Sequence, residues 1–190
     1  GKGYYRISVK REDENQDQPA GKVSTYLHGQ VQPGDVLWLS APAGEFTLDR
    51  ADARPAVFIS GGVGLTPLVS MLHTVVNEQP NRKVTFIHAA RNGDVHALKD
   101  ELEELARRHP QLSLYWCYSE PTERDKAKGE FQKEGYVDLP WLKQVVANPD
   151  AGFYFCGPLP FMKEVKGMLR EWGVAEADLH YEFFGPAESL

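Results

Sequence analysis

The segment from Pro55 to Asn77 constrains the fold more than any other part of this sequence, because it contains no Asp, Glu, Lys or Arg. It is long enough to span a membrane. However, three glycines occur within the four residues after Ser60, and Thr66 and Pro67 follow them, which interrupts the pattern of a membrane helix. The segment is therefore predicted to be a buried strand, a glycine turn and a half-buried helix, with a membrane span as the alternative.

From about Thr47 onward, strand-like and helix-like segments alternate. Short runs rich in branched and aromatic residues predict five strands, over residues 56–60, 83–89, 112–118, 153–156 and 179–183. Apolar residues at helical spacing predict four helices, over residues 67–77, 95–108, 138–147 and 161–172, with Asp94 as the N-cap of the second. Five strands and four crossovers predict an α/β fold, a Rossmann-like five-stranded parallel sheet with helices on both faces. Ligands bind such sheets beyond the C-terminal ends of the strands.

The first fifty residues lack this alternation. Residues 4–10 alternate like a half-exposed strand, residues 36–41 form another strand-like run, and residues 12–21 are polar. These strands are too few to close a barrel, and the sequence starts almost inside one of them. We therefore expect residues 1–50 to be the C-terminal part of a truncated domain, and residues 51–190 to form a second domain.

Composition and charge favour an ordinary globular protein. The chain has 190 residues, of which 42% are hydrophobic, and a formal net charge of -6. Nucleic-acid binders usually present a basic face, so no nucleic-acid partner is expected. The two cysteines form no disulfide scaffold, and the histidines lack metal-ligand spacing, so no metal is expected. A reduced, cytosolic setting is the simplest interpretation.

The glycine turn is the first candidate binding site. Gly61, Gly62 and Gly64 let the backbone approach a ligand, while Thr66 is a good N-cap and Pro67 suits the first helical position. The helix N-terminus that follows presents free N–H groups and a partial positive charge, which bind phosphate. A tight turn without a ligand is the alternative.

This turn departs from the common nucleotide-binding patterns. With Gly62 and Gly64 as the first two glycines of the dinucleotide fingerprint, the third position is Pro67. The acidic residue that normally ends the second strand is missing, since residues 87–90 read Ile-His-Ala-Ala. The Gly-Lys-Ser/Thr of a P-loop is absent as well. A different class of nicotinamide site is implied.

Three further segments are candidates for chemistry. Cys156, Gly157 and Pro158 end the fourth predicted strand, and Cys156 either points into the same crevice as the glycine turn or is a small core residue. The aromatic residues within 181–186 either stack on a flat ligand or pack in the core. In residues 21–27, Ser24 is expected to cap a short helix that faces a diphosphate.

Together these segments resemble the ferredoxin–NADP reductase superfamily. In that family a Gly-Gly-x-Gly-x-Thr-Pro loop binds the pyrophosphate of the nicotinamide cofactor, a Cys-Gly-Pro turn lies beside the nicotinamide, and a Gly-Lys-Val-Ser element starts the helix at the flavin diphosphate. Here they correspond to residues 61–67, 156–158 and 21–24. Over residues 5–12, 88–92, 118–121 and 181–186 the sequence further resembles the flavohemoglobins, and this resemblance covers essentially the whole chain.

The resemblance implies an electron path. Flavohemoglobins combine a heme globin domain, an FAD-binding barrel and a nicotinamide domain, and act as nitric oxide dioxygenases. Residues 1–50 would then be the last strands of an antiparallel FAD-binding barrel, and residues 51–190 the NAD(P)-binding domain. A hydride would pass from NADH or NADPH to FAD, and electrons would continue to heme b of the globin, where nitric oxide becomes nitrate. The family's Arg-x-Tyr-Ser motif, which grips the flavin ring, is absent from this sequence.

The resemblance also assigns residues. Glu182 corresponds to the acid that tunes the flavin–heme connection, Cys156 is the second expected catalytic residue, and Phe184 is expected to stack on the isoalloxazine. The expected NAD(P)-binding residues are Gly61, Gly62, Val63, Gly64, Leu65, Thr66, Pro67, Cys156, Gly157 and Pro158. The expected FAD-binding residues are Lys22, Val23, Ser24, Phe183, Phe184, Gly185 and Pro186.

Two other functions stay open. In the first alternative, the chain is a flavin reductase that feeds an iron–sulfur protein or an oxygenase, although it has no cysteine cluster of its own. In the second alternative, the chain is a non-catalytic nucleotide-binding module. The aromatic C-terminal segment argues against this alternative, because such a module needs no ring that stacks on a flavin. The sequence does not distinguish NADH from NADPH. Arg91 lies near the end of the second predicted strand and could meet a 2′-phosphate, but a lone Arg is more often solvated, and the resemblance mildly favours NADH.

Overall fold

The structure, a computed structural model, describes residues 3–16 and 18–183, with Phe183 described by its backbone alone. The chain divides into two compact units, and the division falls between Glu45 and Phe46. The domain boundary expected from the sequence, between residues 50 and 51, lies a few residues inside the second unit.

In the first unit, the described residues contain one helix, α1 (Lys22–Gly29), and no strand. Residues 4–10 and 36–41 therefore do not form the barrel strands expected from the sequence. A strand is held by hydrogen bonds to a neighbouring strand, and neither segment pairs with another part of the described chain. Apolar side chains of these segments lie in solvent, with Tyr5 82%, Val36 82% and Trp38 96% exposed.

The second unit is built on a parallel sheet of six strands. These are β1 (Ala56–Gly61), β2 (Val84–Ala90), β3 (Leu112–Tyr118), β4 (Lys133–Glu134), β5 (Gly152–Gly157) and β6 (Leu179–Phe183), in the order β4-β3-β2-β1-β5-β6. The predicted parallel α/β sheet is confirmed, with β4 as an additional edge strand. Two charged residues carry no strand pattern, and β4 exists because its backbone pairs with Cys117 and Tyr118 at the end of β3.

The helices of this unit are α2 (Leu65–Glu78), α3 (Lys99–Arg108), α4 (Glu123–Lys128), α5 (Leu139–Val145) and α6 (Leu159–Glu171). The sequence missed α4, a short helix closed by a capping box between Thr122 and Asp125. The prediction that Asp94 caps α3 is wrong, because Asp94 lies in a separate 3-10 turn and Leu98, with a φ of 58°, occupies the N-cap. No helix of the described ranges is long and apolar enough to cross a membrane.

The position of β1 explains the segment without charges. All six of its residues are buried, and it pairs with β2 on one side and with β5 on the other. On one face, Phe58 meets the rings of Phe86 and Tyr154 edge-on and shares a core with α2. On the other face, Val57 and Ile59 share a core with α5 and α6. A strand that is covered on both faces must be apolar throughout.

The buried Tyr154 provides a test of this packing. Its hydroxyl accepts a hydrogen bond from the N–H of Asp49 at 3.1 Å. Tyr154→Phe leaves that N–H without its partner, so we expect the free energy of unfolding to fall by about 1–2 kcal/mol, as measured by urea unfolding. Tyr115→Phe is the control, because the Tyr115 hydroxyl makes no hydrogen bond to the described residues. An equal loss in both variants would contradict this assignment.

Candidate functional site

The glycine turn and the Cys-Gly-Pro turn meet at the C-terminal edge of the sheet. Ser60 pairs with Cys156 in the register of β1 and β5, so the segments that follow these residues leave the sheet side by side. After β1, the 3-10 turn Gly62–Gly64 leads directly into α2. After β5, Pro158 is the N-cap of α6. The structure thus brings together the two turns that the sequence singled out.

Backbone contact between the two turns requires glycines. A Cβ on Gly64 would lie 2.6 Å from the amide nitrogen of Gly157 and closer still to the carbonyl of Cys156. A Cβ on Gly157 would lie 2.7 Å from the ring of Phe161 and 3.2 Å from the Cα of Gly61. These separations are shorter than van der Waals contact, and the backbone that faces Gly64 cannot rotate away. The two turns therefore form one packed unit.

The start of α2 has the properties of an anion site. Gly62 has a φ of 53°, in the left-handed region, and no atom lies within 4 Å of the position a Cβ would take. The first turn of a helix carries partial positive charge. In α2 the N–H of Leu65 bonds back to the carbonyl of Gly62, and Pro67 has no N–H, so the charge of the helix end is the main attraction for an anion. Since α2 begins at Leu65 with Gly64 as N-cap, the predictions that Thr66 caps the helix and that Pro67 is its first residue are wrong. The close approach of Gly64 to β5 fixes an earlier start.

A cavity of about 580 Å³ opens beside the turns. One wall is α6, whose Phe161, Glu164, Val165 and Met168 share one helical face. The opposite wall is residues 135–137, and the ends of β1, β2 and β3 contribute residues 61–62, 89–91 and 119. The volume is within the range of pockets that hold small ligands and cofactors. Neither wall was predicted from the sequence, although the helical spacing of the α6 residues was a usable signal.

The residues expected to bind NAD(P) differ in exposure. Buried are Gly61, Gly64, Leu65, Cys156 and Gly157; half-buried are Val63, Thr66 and Pro67; exposed are Gly62 and Pro158. Of this set, Gly61, Gly62 and Pro158 line the cavity. The buried residues of this set pack against the sheet and the neighbouring turn, and so hold the turns in place.

The wall formed by residues 135–137 is anchored to the sheet. Gly135, with a φ of 98°, donates its N–H to the carbonyl of Tyr118 at 2.8 Å. An ion pair of 2.6 Å between Lys133 and Asp138 closes the loop, lowers the pKa of the Asp138 carboxyl and leaves that residue as the N-cap of α5. Tyr136 lies between these anchors with 80% of its surface exposed. An exposed ring on an anchored loop is preorganised to stack on a flat ligand.

The Cys156 side chain does not line the cavity, contrary to the expectation that it shares a crevice with the glycine turn. It is fully buried, and burial, together with the negative charge of Glu182, raises the pKa of its thiol to about 12. Side chains alternate along β5, so Phe155 points to the face of α6 and Cys156 to the opposite face. A thiol with this pKa stays protonated at neutral pH and is a poor nucleophile.

The residues expected to contact the flavin lie in two places. In the second unit, Glu182 is exposed on β6 and is paired in register with Cys156. Phe183 ends β6, and three further expected residues lie outside the described ranges: Phe184, Gly185 and Pro186.

In the first unit, Lys22 and Val23 are exposed at the start of α1. The prediction that Ser24 caps α1 is wrong, because Gly21 is the N-cap. The Ser24 hydroxyl instead accepts from the N–H of Glu12 and donates to the carbonyl of Gly21, each at 3.2 Å. It ties the loop before the helix to the first turn.

Two buried histidines lie beside the end of β1. His88 Nδ1 is 2.7 Å from the Ser60 hydroxyl, and His96 Nδ1 is 2.8 Å from the Tyr118 hydroxyl. The ring centroids are 4.4 Å apart, and the Nε2 of each is buried without a hydrogen-bond partner in the described chain. Burial lowers the pKa of both, that of His96 to about 4, so both rings are neutral at pH 7. The described residues contain no group of three or more His, Cys, Asp or Glu placed to hold a metal.

The parallel sheet, the glycine turn at a helix N-terminus and the cavity beside it define a nucleotide-binding α/β domain. The chain belongs to the oxidoreductase NAD-binding domain family, whose model matches residues 58–167. Within that class it belongs with the reductase domains of flavohemoproteins. It is 35% identical to the flavohem-like FAD/NAD binding domain of nitric oxide dioxygenase from Vibrio cholerae, with a TM-score of 0.79, and the match covers 94% of this chain and 70% of that one.

Longer relatives agree with this assignment. The chain is 50% identical to a flavohemoprotein of Bacillus thuringiensis subsp. konkukian over 190 residues, which is 100% of this chain and 47% of the relative. It is 30% identical to the flavohemoglobin of Malassezia yamatoensis, a structure with bound FAD and heme, with a TM-score of 0.66 over 77% of this chain and 36% of that one. The chain thus spans about half the length of the curated relatives it matches.

Gly64→Ala tests the packing of the two turns. The added methyl group meets the backbone of residues 156–157, so one turn must move, and we expect the free energy of unfolding to fall by about 3 kcal/mol. Gly167→Ala is the matched control, since no atom lies within 4 Å of its Cβ position inside α6. That variant is expected to gain about 0.5–1 kcal/mol. The free energy of unfolding of both variants is measured by chemical denaturation. A Gly64→Ala variant as stable as the wild type would refute the contact.

The buried histidines predict a loss of stability in mild acid. A histidine whose pKa is lower in the folded than in the unfolded chain takes up a proton on unfolding. The contribution of the neutral histidines to the free energy of unfolding is therefore fully present above the unfolded pKa of about 6.5. It is lost as the pH falls toward about 4. For two such groups the slope reaches about 2.7 kcal/mol per pH unit.

His96→Gln removes one titrating ring and is expected to remove about half of this slope. The measurement is urea unfolding at a series of pH values across this window, with His109→Gln as the control for a partly exposed histidine. Parallel slopes for the wild type and His96→Gln would show that the ring does not govern the acid response.

Proposed function

We propose that this chain is the reductase region of a flavohemoprotein, which binds NADH or NADPH and passes a hydride to FAD. The proposal rests on two structural observations taken together. The glycine turn at the start of α2 packs directly on the Cys-Gly-Pro turn, and a cavity of about 580 Å³ opens beside both. The likeness to the FAD/NAD binding domain of the Vibrio cholerae nitric oxide dioxygenase supports it.

The diphosphate of the nucleotide is proposed to bind at the Gly62–Gly64 turn. The partial positive charge at the start of α2 stabilises an anion there. Gly62 leaves the approach open, since no side chain projects from it, while the buried Gly64 holds the turn against β5. Val63, Leu65, Thr66 and Pro67 complete this binding segment, and the cavity between α6 and Tyr136 receives the adenosine half.

The nicotinamide is proposed to lie at the Cys-Gly-Pro turn, where Gly157 and Pro158 present a surface without long side chains. Cys156 supports this turn from within the sheet: its thiol is buried and protonated and does not attack as a nucleophile. Glu182, exposed on the neighbouring strand, is the proposed acid of the flavin–heme connection, where a carboxylate stabilises positive charge or orders water. Bound FAD supplies the step from a two-electron hydride to single electrons. The proposed FAD contacts are Lys22, Val23, Ser24, Phe183, Phe184, Gly185 and Pro186.

For the whole protein, we propose that electrons continue to heme b of a globin domain in the same polypeptide, where nitric oxide, O2 and one electron would give nitrate. The support is the identity of 50% to a flavohemoprotein along the full length of this chain. We also propose a cytoplasmic location, because both cysteines are free thiols, as is usual in a reducing compartment.

An anaerobic visible spectrum tests the reductase function. The chain is mixed with FAD and titrated with NADH, and in parallel with NADPH. We expect the flavin band to shift on mixing and to bleach as the reduced nucleotide is added. Gly64→Ala is the matched variant, because displacement of the glycine turn is expected to slow bleaching without changing the initial shift of the flavin band.

The two stages of this titration separate two failures. A flavin band that shifts but never bleaches with either nucleotide would refute the hydride-transfer function. A band that behaves as free FAD would show that the proposed flavin contacts of this chain do not suffice. The titration of the full-length protein then decides whether the reductase assignment stands.

A further inference from the structure

Two charged side chains, Arg91 and Glu164, lie on the wall of the cavity beside the glycine turn. The rest of its lining is glycine, alanine, proline and larger apolar residues, with Ser119 and Tyr136 as the polar exceptions. Within the described residues, neither Arg91 nor Glu164 has an ion-pair partner. A charge on a largely apolar wall that has no ion-pair partner among the described residues is available to a ligand.

The two walls of the cavity are held in place. Phe161 on α6 lies against the glycines of both turns. Further toward the C-terminus of the same helix, the ammonium group of the buried Lys166 donates a hydrogen bond of 2.5 Å to the hydroxyl of Tyr181 on β6. This bond fixes α6 to the edge of the sheet. The facing wall, with Tyr136, is anchored to β3 as described above. An apolar slot between two fixed walls, with an aromatic ring on each, suits a planar ring system.

The position of the strands assigns the parts of a nucleotide to this cavity. In doubly wound sheets the diphosphate lies at the glycine turn after the first strand, and the adenosine ribose lies at the end of the second. Here these places are Gly62 and Arg91. The base is then left to the slot between α6 and Tyr136, where Glu164 is the charged residue of the wall.

We propose that Glu164 recognises the base and selects a 6-aminopurine over a 6-oxopurine. An ionised carboxylate only accepts hydrogen bonds. At the N7 edge of the base, adenine presents a 6-amino donor to the carboxylate, whereas hypoxanthine presents only acceptors, its carbonyl oxygen and N7. The N1–H donor of hypoxanthine lies on the other edge of the ring, so a carboxylate at the N7 edge would face another acceptor. This role rests on the nucleotide-binding function proposed above, and it places an acidic specificity residue on α6 rather than at the end of β2.

The test is calorimetric titration of the chain with ADP-ribose and with its hypoxanthine analogue, inosine diphosphate ribose. The wild type is expected to bind ADP-ribose about tenfold more tightly, the ratio expected for one hydrogen bond to a charged group in a partly open site. In Glu164→Gln, the amide both accepts and donates, so the ratio is expected to fall to about twofold or less. Glu171→Gln, at the end of the same helix and outside the cavity lining, is the matched control and keeps the wild-type ratio.

A third ligand, ADP-ribose 2′-phosphate, distinguishes a base contact from a ribose contact. If Glu164→Gln strengthens binding of the 2′-phosphate and leaves the base ratio unchanged, the carboxylate faces the ribose and the proposal is overturned. If ADP-ribose binds and the base ratio is equal in the wild type and Glu164→Gln, Glu164 does not read the base, while the nucleotide site stands. If ADP-ribose does not bind a wild-type chain that is folded by circular dichroism, the nucleotide site itself is refuted.

Discussion

The backbone of the glycine turn rests directly on the end of β5, and the rest of the site depends on this contact. Gly64 lies so close to the carbonyl of Cys156 that no side chain fits between them. The contact determines where α2 begins and therefore where the positive end of this helix points. Since α2 packs on one face of the sheet and α6 on the other, the same contact joins the two helical layers at the C-terminal edge of the sheet.

Patterns that depend on burial were predictable from the sequence. β1 is covered on both faces, so its run of apolar residues stands out, and α2 and α6 carry apolar stripes for the same reason. Helix starts were predicted less well. Thr66 and Asp94 are good N-caps by residue type, but the chain geometry around Gly64 and Leu98 fixes different starts. Local preference is worth about 1 kcal/mol, and packing overrides it.

Features that depend on distant pairing were not predictable. Residues 4–10 and 36–41 have strand patterns, yet a strand forms only where a second strand hydrogen-bonds to it. β4 has no strand pattern and forms because the end of β3 offers a partner. The cavity wall at Tyr136 follows from that pairing, so no local signal marks it. For Cys156, the sequence located the residue but the alternation of β5 decided its direction.

The order of the strands also sets the order in which the unit assembles. Ala56 of β1 pairs with Val84 of β2, and on its other side with Gly152 of β5, which is far more distant in sequence. Closing the longer loop costs more entropy and comes later, and a chain emerging from the ribosome offers β1, β2 and β3 first. The glycine turn, however, reaches its final shape only on the backbone of β5. A nascent chain that ends before residue 157 therefore has the strands to start the sheet and lacks the surface on which the glycine turn is formed.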